Sequence, residues 1–180
     1  MVAGIIIDPI LLGSFLVPPG DGVLRVNQRI YNMVATGLSK AHLEKNSDLD
    51  AGIVQFYYTV KRLHVYVDYE LDGYCLLMPI WGKGKGVVVM DDVQVFLNAT
   101  IVNLNGYNKI TDFKVSFNVS GGSFDLSSLF GENPPGFWTI LYLIYFNSNA
   151  KYIFNEILPP YNELSAKYFI SSFEPILNLA

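Results

Sequence analysis

The sequence predicts an α+β domain in which a long antiparallel sheet curves around a C-terminal helix. Three observations carry this expectation. From about residue 22 to 130, apolar residues recur at every second position. Turn-forming stretches cut that region into long runs ordered as an antiparallel meander. After residue 136 the period changes, and a stretch without glycine or proline is apolar nearly all round. Strands first and helices last is the α+β order. Long strands of one twist curve strongly, and a curved sheet with one apolar face needs something to wrap.

The opening, "MVAGIIIDPILLGSFLVPPG", is apolar but has no basic lead and carries Asp8 within it, which makes it a poor signal peptide. Turns are expected at "PPGDG" (18–22), "TGLSK" (36–40), "SDLDAG" (47–52), "GKGKG" (82–86) and "NLNGYN" (103–108). In "RLHVYVDYELDGY", Leu63, Val65, Val67, Tyr69 and Leu71 face one way and His64, Tyr66, Asp68, Glu70 and Asp72 the other. The same parity turns Val93, Val95, Leu97 and Ala99 inward, as it does Phe113, Val115, Phe117 and Val119. Two glycosylation sequons, Asn98-Ala-Thr100 and Asn118-Val-Ser120, then place both asparagines on the wet face, where a glycan would have to be.

"GKGKG" does not match the phosphate-binding pattern G-x-x-x-x-G-K-[ST], and "VVVM" after it reads as strand, not as a helix N-terminus. The expectation is a glycine hinge or bulge where one strand turns into the next and the sheet curls. Residues 137–158, "FWTILYLIYFNSNAKYIFNEIL", read as one buried helix. Pro159-Pro160 kinks or ends it, and "YNELSAKYFISSFEPILNLA" continues as a second helical stretch.

Composition narrows the function. At 180 residues the chain reads as a single domain, 1–180, able to bury roughly 70% of its unfolded surface. With 51% hydrophobic and 16% charged residues and a mean hydropathy of +0.31, either the interior is large or it is lined for an apolar guest. A net charge of −4 and a pI near 5.0 lack the basic footprint of nucleic-acid binding. The longest apolar run, Phe137 to Phe146, is too short for stable membrane insertion, which takes about 20 residues.

Catalysis and metal binding find no support. Cys75 stands alone, so no intrachain disulfide can form, and it reads as a small buried hydrophobe. His42 and His64 are the only histidines, and no G-x-S-x-G elbow is present. Asp91-Asp92 and Asp48/Asp50 read as solvated turn formers. No catalytic residue, metal or cofactor is expected. By parity and position, an internal ligand would meet Val65, Val67, Tyr69, Leu71, Val95, Leu97, Val115 and Phe117 from the sheet. From the helix it would meet Trp138, Leu141, Tyr142, Tyr145 and Phe154.

Several segments carry a resemblance. "YELDGYCLLMPIWGKG" (69–84) is similar to Y-x-I-x-G-x-x-L-x-L-P-I-x-G-x-G, through Tyr69, Gly73, Leu76, Pro79, Ile80, Gly82 and Gly84. "DLSSLFGEN" (125–133) resembles L-x-N-L-F-x-G, with Ser where Asn is usual. With "DPILLGSFLV", "NMVATGLSK", "KITDFKVSFNV" and the C-terminal "FNSNAKYIFNEILPPYNELSAKYFISSFEPILN", nearly the whole chain resembles the insect takeout and juvenile-hormone-binding proteins. The resemblance implies a tubular lipid-binding fold with an apolar tunnel between sheet and helix. It also implies a secreted, non-catalytic carrier of a small hydrophobic ligand such as a terpenoid or fatty acid. Against that pattern the loop at "NLNGYN" is shorter, and the family's N-terminal helix and cysteine pair have no counterpart here. The rim left there is where a partner or a second copy would attach. The competing expectation is a structural or interaction module with a filled core. A hydrolase of apolar esters would need a nucleophile and base at usable spacing, which the sequence lacks.

Overall fold

A computed structural model describes residues 8–48, 51–126, 128–131 and 136–177, leaving aside the side chains at 45–48, 168 and 172–177. In chain order the strands are β1 (Ile10–Val17), β2 (Leu24–Thr36), β3 (His42–Asp48), β4 (Ile53–Cys75), β5 (Met78–Leu104), β6 (Tyr107–Asn118) and β7 (Gly121–Asp125). Two helices follow, α1 (Phe137–Ser148) and α2 (Ala150–Leu177). The described strands form one antiparallel sheet, ordered β1-β2-β4-β5-β6, with β3 also on β4 and β7 also on β5. β4 and β5 are its spine. β2 and β3 share one edge of β4 end to end, and β6 and β7 share the far edge of β5 in the same way. The expected α+β fold, a curved antiparallel sheet with a C-terminal helix, is the one observed.

The glycine run does something other than turn the chain. β4 and β5 pair from Ile53↔Thr100 to Cys75↔Met78 without a register shift, so "GKGKG" lies inside one continuous strand. The reversal falls at Leu76-Leu77, where Leu76 takes φ 58°. Curvature is introduced elsewhere, at register shifts on both sides of Gly13, between Tyr31 and Val34, and between Thr100 and Ile101.

The run matters for close approach. Gly82, Gly84 and Gly86 share the inner face, and residues 126 and 128–131 cross directly over them. A Cβ at Gly84 would lie 2.5 Å from Ser128 Cβ, and one at Gly86 would lie 2.6 Å from Leu126 Cδ2. At Gly82 a Cβ would come within 2.8 Å of the Phe130 nitrogen, on a backbone already at φ 154°. The crossing segment is pinned by Phe130 N–H donating to the Trp81 carbonyl at 2.9 Å. It is pinned again by the buried Thr139 hydroxyl donating to the Leu129 carbonyl at 2.6 Å.

The helices also depart from expectation. The break falls at Asn149, not at Pro159-Pro160. Asn147 is committed to the sheet: its Oδ1 accepts from Phe124 N–H at 2.7 Å and its Nδ2 donates to the Phe124 carbonyl at 3.3 Å. Asn149 Nδ2 donates to the Tyr145 carbonyl at 2.9 Å, closing α1. Its own carbonyl accepts the first bond of α2, from Ile153 at 3.0 Å, as an N-cap residue does.

α2 runs through both prolines, which remove two N–H donors from its interior. Anchors on either side hold it in place. Ile153, Phe154 and Leu158 are buried before the pair. After it, Tyr161 donates to Gln28 Oε1 at 3.1 Å and Asn162 Oδ1 accepts from Phe117 N–H at 3.2 Å. The core is aromatic at this level, with Phe124 stacked on Phe154 at 4.8 Å and edge-on to Phe146 at 5.9 Å. No helix among the described residues is long and apolar enough to cross a membrane.

Candidate functional site: an apolar cavity under the sheet

Between the inner face of the sheet and α2 lies a cavity of about 190 Å³, counted as space open to the centres of water molecules. One water needs roughly 10–15 Å³ by that measure, so the space is many waters large. β2 contributes Val26, Gln28, Ile30, Met33 and Ala35; β4 contributes Leu63, Val65, Val67, Tyr69 and Leu71. Ile80, Val88 and Met90 come from β5, and α2 closes the space with Ile153, Phe154, Ile157, Leu158, Tyr161 and Ser165. Leu126, from the segment that crosses the glycines, completes one wall. Among the described residues none of the lining carries a charge, and the polar side chains there are those of Gln28, Tyr69, Tyr161 and Ser165.

Six of the residues expected to meet a ligand line this cavity: Val65, Val67, Tyr69, Leu71, Phe117 and Phe154. Val95, Leu97 and Val115 do face inward, with Leu97 and Val115 buried. They lie further along the sheet, where α2 itself covers the surface, as the Phe113 and Phe169 rings 6.0 Å apart show.

α1 contributes Phe146 but none of the four residues expected from it. Trp138 and Leu141 are exposed, at 58% and 40%. Tyr142 is buried with its hydroxyl on the Pro79 carbonyl at 3.0 Å, and Tyr145 packs on Phe146. The break at Asn149 explains the difference, because a single straight helix would have carried the phase of α1 into the cavity. The sequence reading missed the β2 wall. Its signal was present in "LRVNQRI", where Val26, Gln28 and Ile30 alternate with Arg25, Asn27 and Arg29.

Tyr69 is almost fully buried, and its hydroxyl finds no hydrogen-bond partner among the described residues. Burial, reinforced by Asp125 and partly offset by the nearby Ser128 backbone, which falls short of a well-formed hydrogen bond, pushes its pKa up to about 12. Burial also raises Tyr161 well above the usual phenol range, so both rings stay neutral.

The other candidates are structural. Cys75 is fully buried, and burial pushes its thiol up, which suits a packing residue and not a nucleophile. Asp91 pairs with Arg62 at 2.6 Å, and Asp92 takes a hydrogen bond from Ser120. His42 is exposed beside Glu44 at 3.7 Å. Asp48 and Asp50 lie outside the described side chains. No group of three or more metal-ligating side chains occurs among the described residues.

A curved antiparallel sheet closed by a C-terminal helix over a cavity with no charged side chain among the described residues defines a class, that of single-sheet domains with an apolar interior. Residues 6–179 match the model of the haemolymph juvenile hormone binding protein family, and the chain belongs to that family. It is 27% identical over 176 residues to the circadian clock-controlled protein daywake of Drosophila melanogaster, covering 91% of this chain and 67% of that protein. The Drosophila yakuba daywake is 26% identical over the same shares. Among solved structures, Takeout 1 of Epiphyas postvittana superposes with a TM-score of 0.80 at 20% identity, covering 96% of this chain and 80% of that one. The family's own description is one of binding.

Proposed function

We propose that the protein is a non-catalytic carrier that takes one small hydrophobic ligand into the cavity beneath its sheet. The ligand class is a juvenile-hormone-like terpenoid, a fatty acid or a similar lipid. The observation that carries this reading is the cavity wall, apolar except at Gln28, Tyr69, Tyr161 and Ser165 and free of charge among the described residues, in a chain whose family is described by binding. Burying ~400 Å² of such a ligand at ~25 cal/mol/Å² yields about 10 kcal/mol. Association costs at least ~4 kcal/mol of that, which leaves a Kd of order tens of micromolar before any polar contact. Organic extraction of the purified protein followed by mass spectrometry tests the reading. A lipid recovered near one per chain supports it. No lipid, together with no uptake of added lipid, defeats it.

The family's haemolymph setting supports secretion, and Asn98 and Asn118 on the outer face suit glycosylation. Asn118 is the more exposed of the two, so a glycosidase-sensitive mass shift in secreted protein should map there first.

One observation favours a second reading, an interaction module. Phe137, Trp138, Ile140, Leu141 and Ile144 leave a broad apolar face of α1 exposed. An empty protein that sediments as a dimer would favour it.

A further inference from the structure

The cavity's few polar groups are not scattered. Gln28 sits on the inner face of β2 between the buried Val26 and Ile30, a position where an apolar side chain would be ordinary. Its Oε1 accepts from the Tyr161 hydroxyl at 3.1 Å across the cavity wall. With Oε1 so engaged, the Nε2 hydrogens have no partner among the described residues. Ser165, one helical turn beyond Tyr161, lines the same space.

The charges nearby are turned away. Arg25 and Arg29 flank this stretch of β2 at the opposite parity; Arg25 donates to the Gly22 carbonyl and Arg29 pairs with Glu70 on the outer face. Glu156 of α2 is held by Val23 N–H. Among the described residues, no Lys, Arg or His lines the cavity.

We infer that Gln28, Tyr161 and Ser165 form a head-group site that selects lipids ending in a neutral carbonyl, such as an ester, ketone, aldehyde or amide, over the carboxylate of the same chain. The inference rests on the carrier reading and narrows it. The Gln28 amide and the Ser165 hydroxyl are neutral donors, suited to one carbonyl oxygen. A carboxylate brought to the same place would lose its hydration with no cation to pair with. Tyr161 orients the Gln28 amide without needing to touch the ligand.

The test is competition of methyl laurate, laurate and tridecane against a bound fluorescent apolar probe, N-phenylnaphthylamine, at neutral pH. The ester should bind on the order of 100-fold more tightly than the carboxylate, the scale of an uncompensated buried charge. Gln28→Leu, which keeps the wall apolar and of similar volume, should weaken the ester roughly 3- to 10-fold, the scale of one neutral hydrogen bond. Tridecane should be unaffected or tightened by the same change. Tyr161→Phe, which frees the amide to rotate, should act in the same direction more weakly.

Equal binding of laurate and its ester overturns the inference while leaving the carrier reading intact. Ester binding that Gln28→Leu leaves unchanged relative to tridecane, in a folded variant, overturns the assignment to this cluster. Failure of the probe and tridecane to bind at all defeats the carrier reading itself.

Discussion

Replacing Gly84 by Ala isolates the packing role of the glycine run. Gly84 is not in the left-handed region, so the substitution carries no backbone penalty; what it adds is one methyl group. That methyl would lie 2.5 Å from Ser128 Cβ and 2.8 Å from its Oγ, inside contact distance for any pair of carbons. Either the β4–β5 ladder or the crossing segment must move. The crossing segment carries the fully buried Leu129 and the Thr139 bond. Overpacking of this kind costs about 1–3 kcal/mol, offset by about 0.4–1 kcal/mol from the stiffer unfolded chain. The net loss should be about 1–2 kcal/mol, or a fall in Tm of roughly 2–8 °C for a chain of this size. Thermal unfolding followed by circular dichroism reads it. Ser128→Gly, which removes the colliding atoms, should recover most of the loss in the double variant. A Gly84→Ala protein as stable as the parent, or a loss that Ser128→Gly leaves untouched, would refute the argument.

Three further changes probe other parts of the account. Tyr69→Phe removes a buried hydroxyl that makes no well-formed hydrogen bond among the described residues, so at neutral pH it should leave stability unchanged or raise it by up to about 1 kcal/mol in urea denaturation; a comparable loss would contradict this. The same residue shapes the alkaline limb. Its folded pKa of about 12 lies above the ordinary 10.0, so its contribution is intact below pH 10 and is lost as pH rises toward 12, a slope that Tyr69→Phe should lessen. Asp8 accepts from Gly37 N–H and Ser39 N–H, each at 3.0 Å. Hydrogen bonds from Ser39 and then Gly37 hold its carboxyl below the usual 3.8, so stability present above that value should fall as the acid range is entered. Asp8→Asn should flatten this acid limb and speed amide exchange at Gly37 and Ser39. Glu156→Ala should free Val23 N–H, now bonded to the carboxylate at 3.1 Å, at about 1 kcal/mol, seen in urea denaturation and in faster exchange at Val23.

Some of this architecture is legible in the sequence because a strand repeats every two residues. Val65, Val67, Tyr69 and Leu71 are read onto the inner face by parity alone, and the structure puts all four on the cavity wall. Parity says nothing about which stretch of that face stays open. Leu97 and Val115 share the face, yet α2 covers their end of the sheet. Turn chemistry misleads at both ends of "YCLLMPIWGKGKG". The reversal uses Leu76 and Leu77, neither a usual turn residue, with Leu77 94% exposed at the tip. The glycines, which look like a turn, answer to a chain segment some 40 residues further on that no local window can see. The helix break is similar. Prolines are the visible signal, but Asn147 and Asn149 decide the outcome through bonds to Phe124 and Tyr145, and buried anchors carry α2 past Pro159-Pro160. Gln28 is the polar exception in an otherwise apolar alternation, and only the position of Tyr161 across the cavity gives it meaning.

The central claim, that the space under the sheet is a ligand site and not a packing defect, is tested most directly by calorimetric titration of the delipidated protein with a long-chain ester, beside Val67→Trp. Val67 is half-buried on the cavity wall, so an indole there fills the space from a position that tolerates change. The account predicts one saturable site per chain in the parent, with a negative heat-capacity change from buried apolar surface, and its loss in a folded Val67→Trp protein. Absence of saturable binding, or equal binding with the cavity filled, would contradict it.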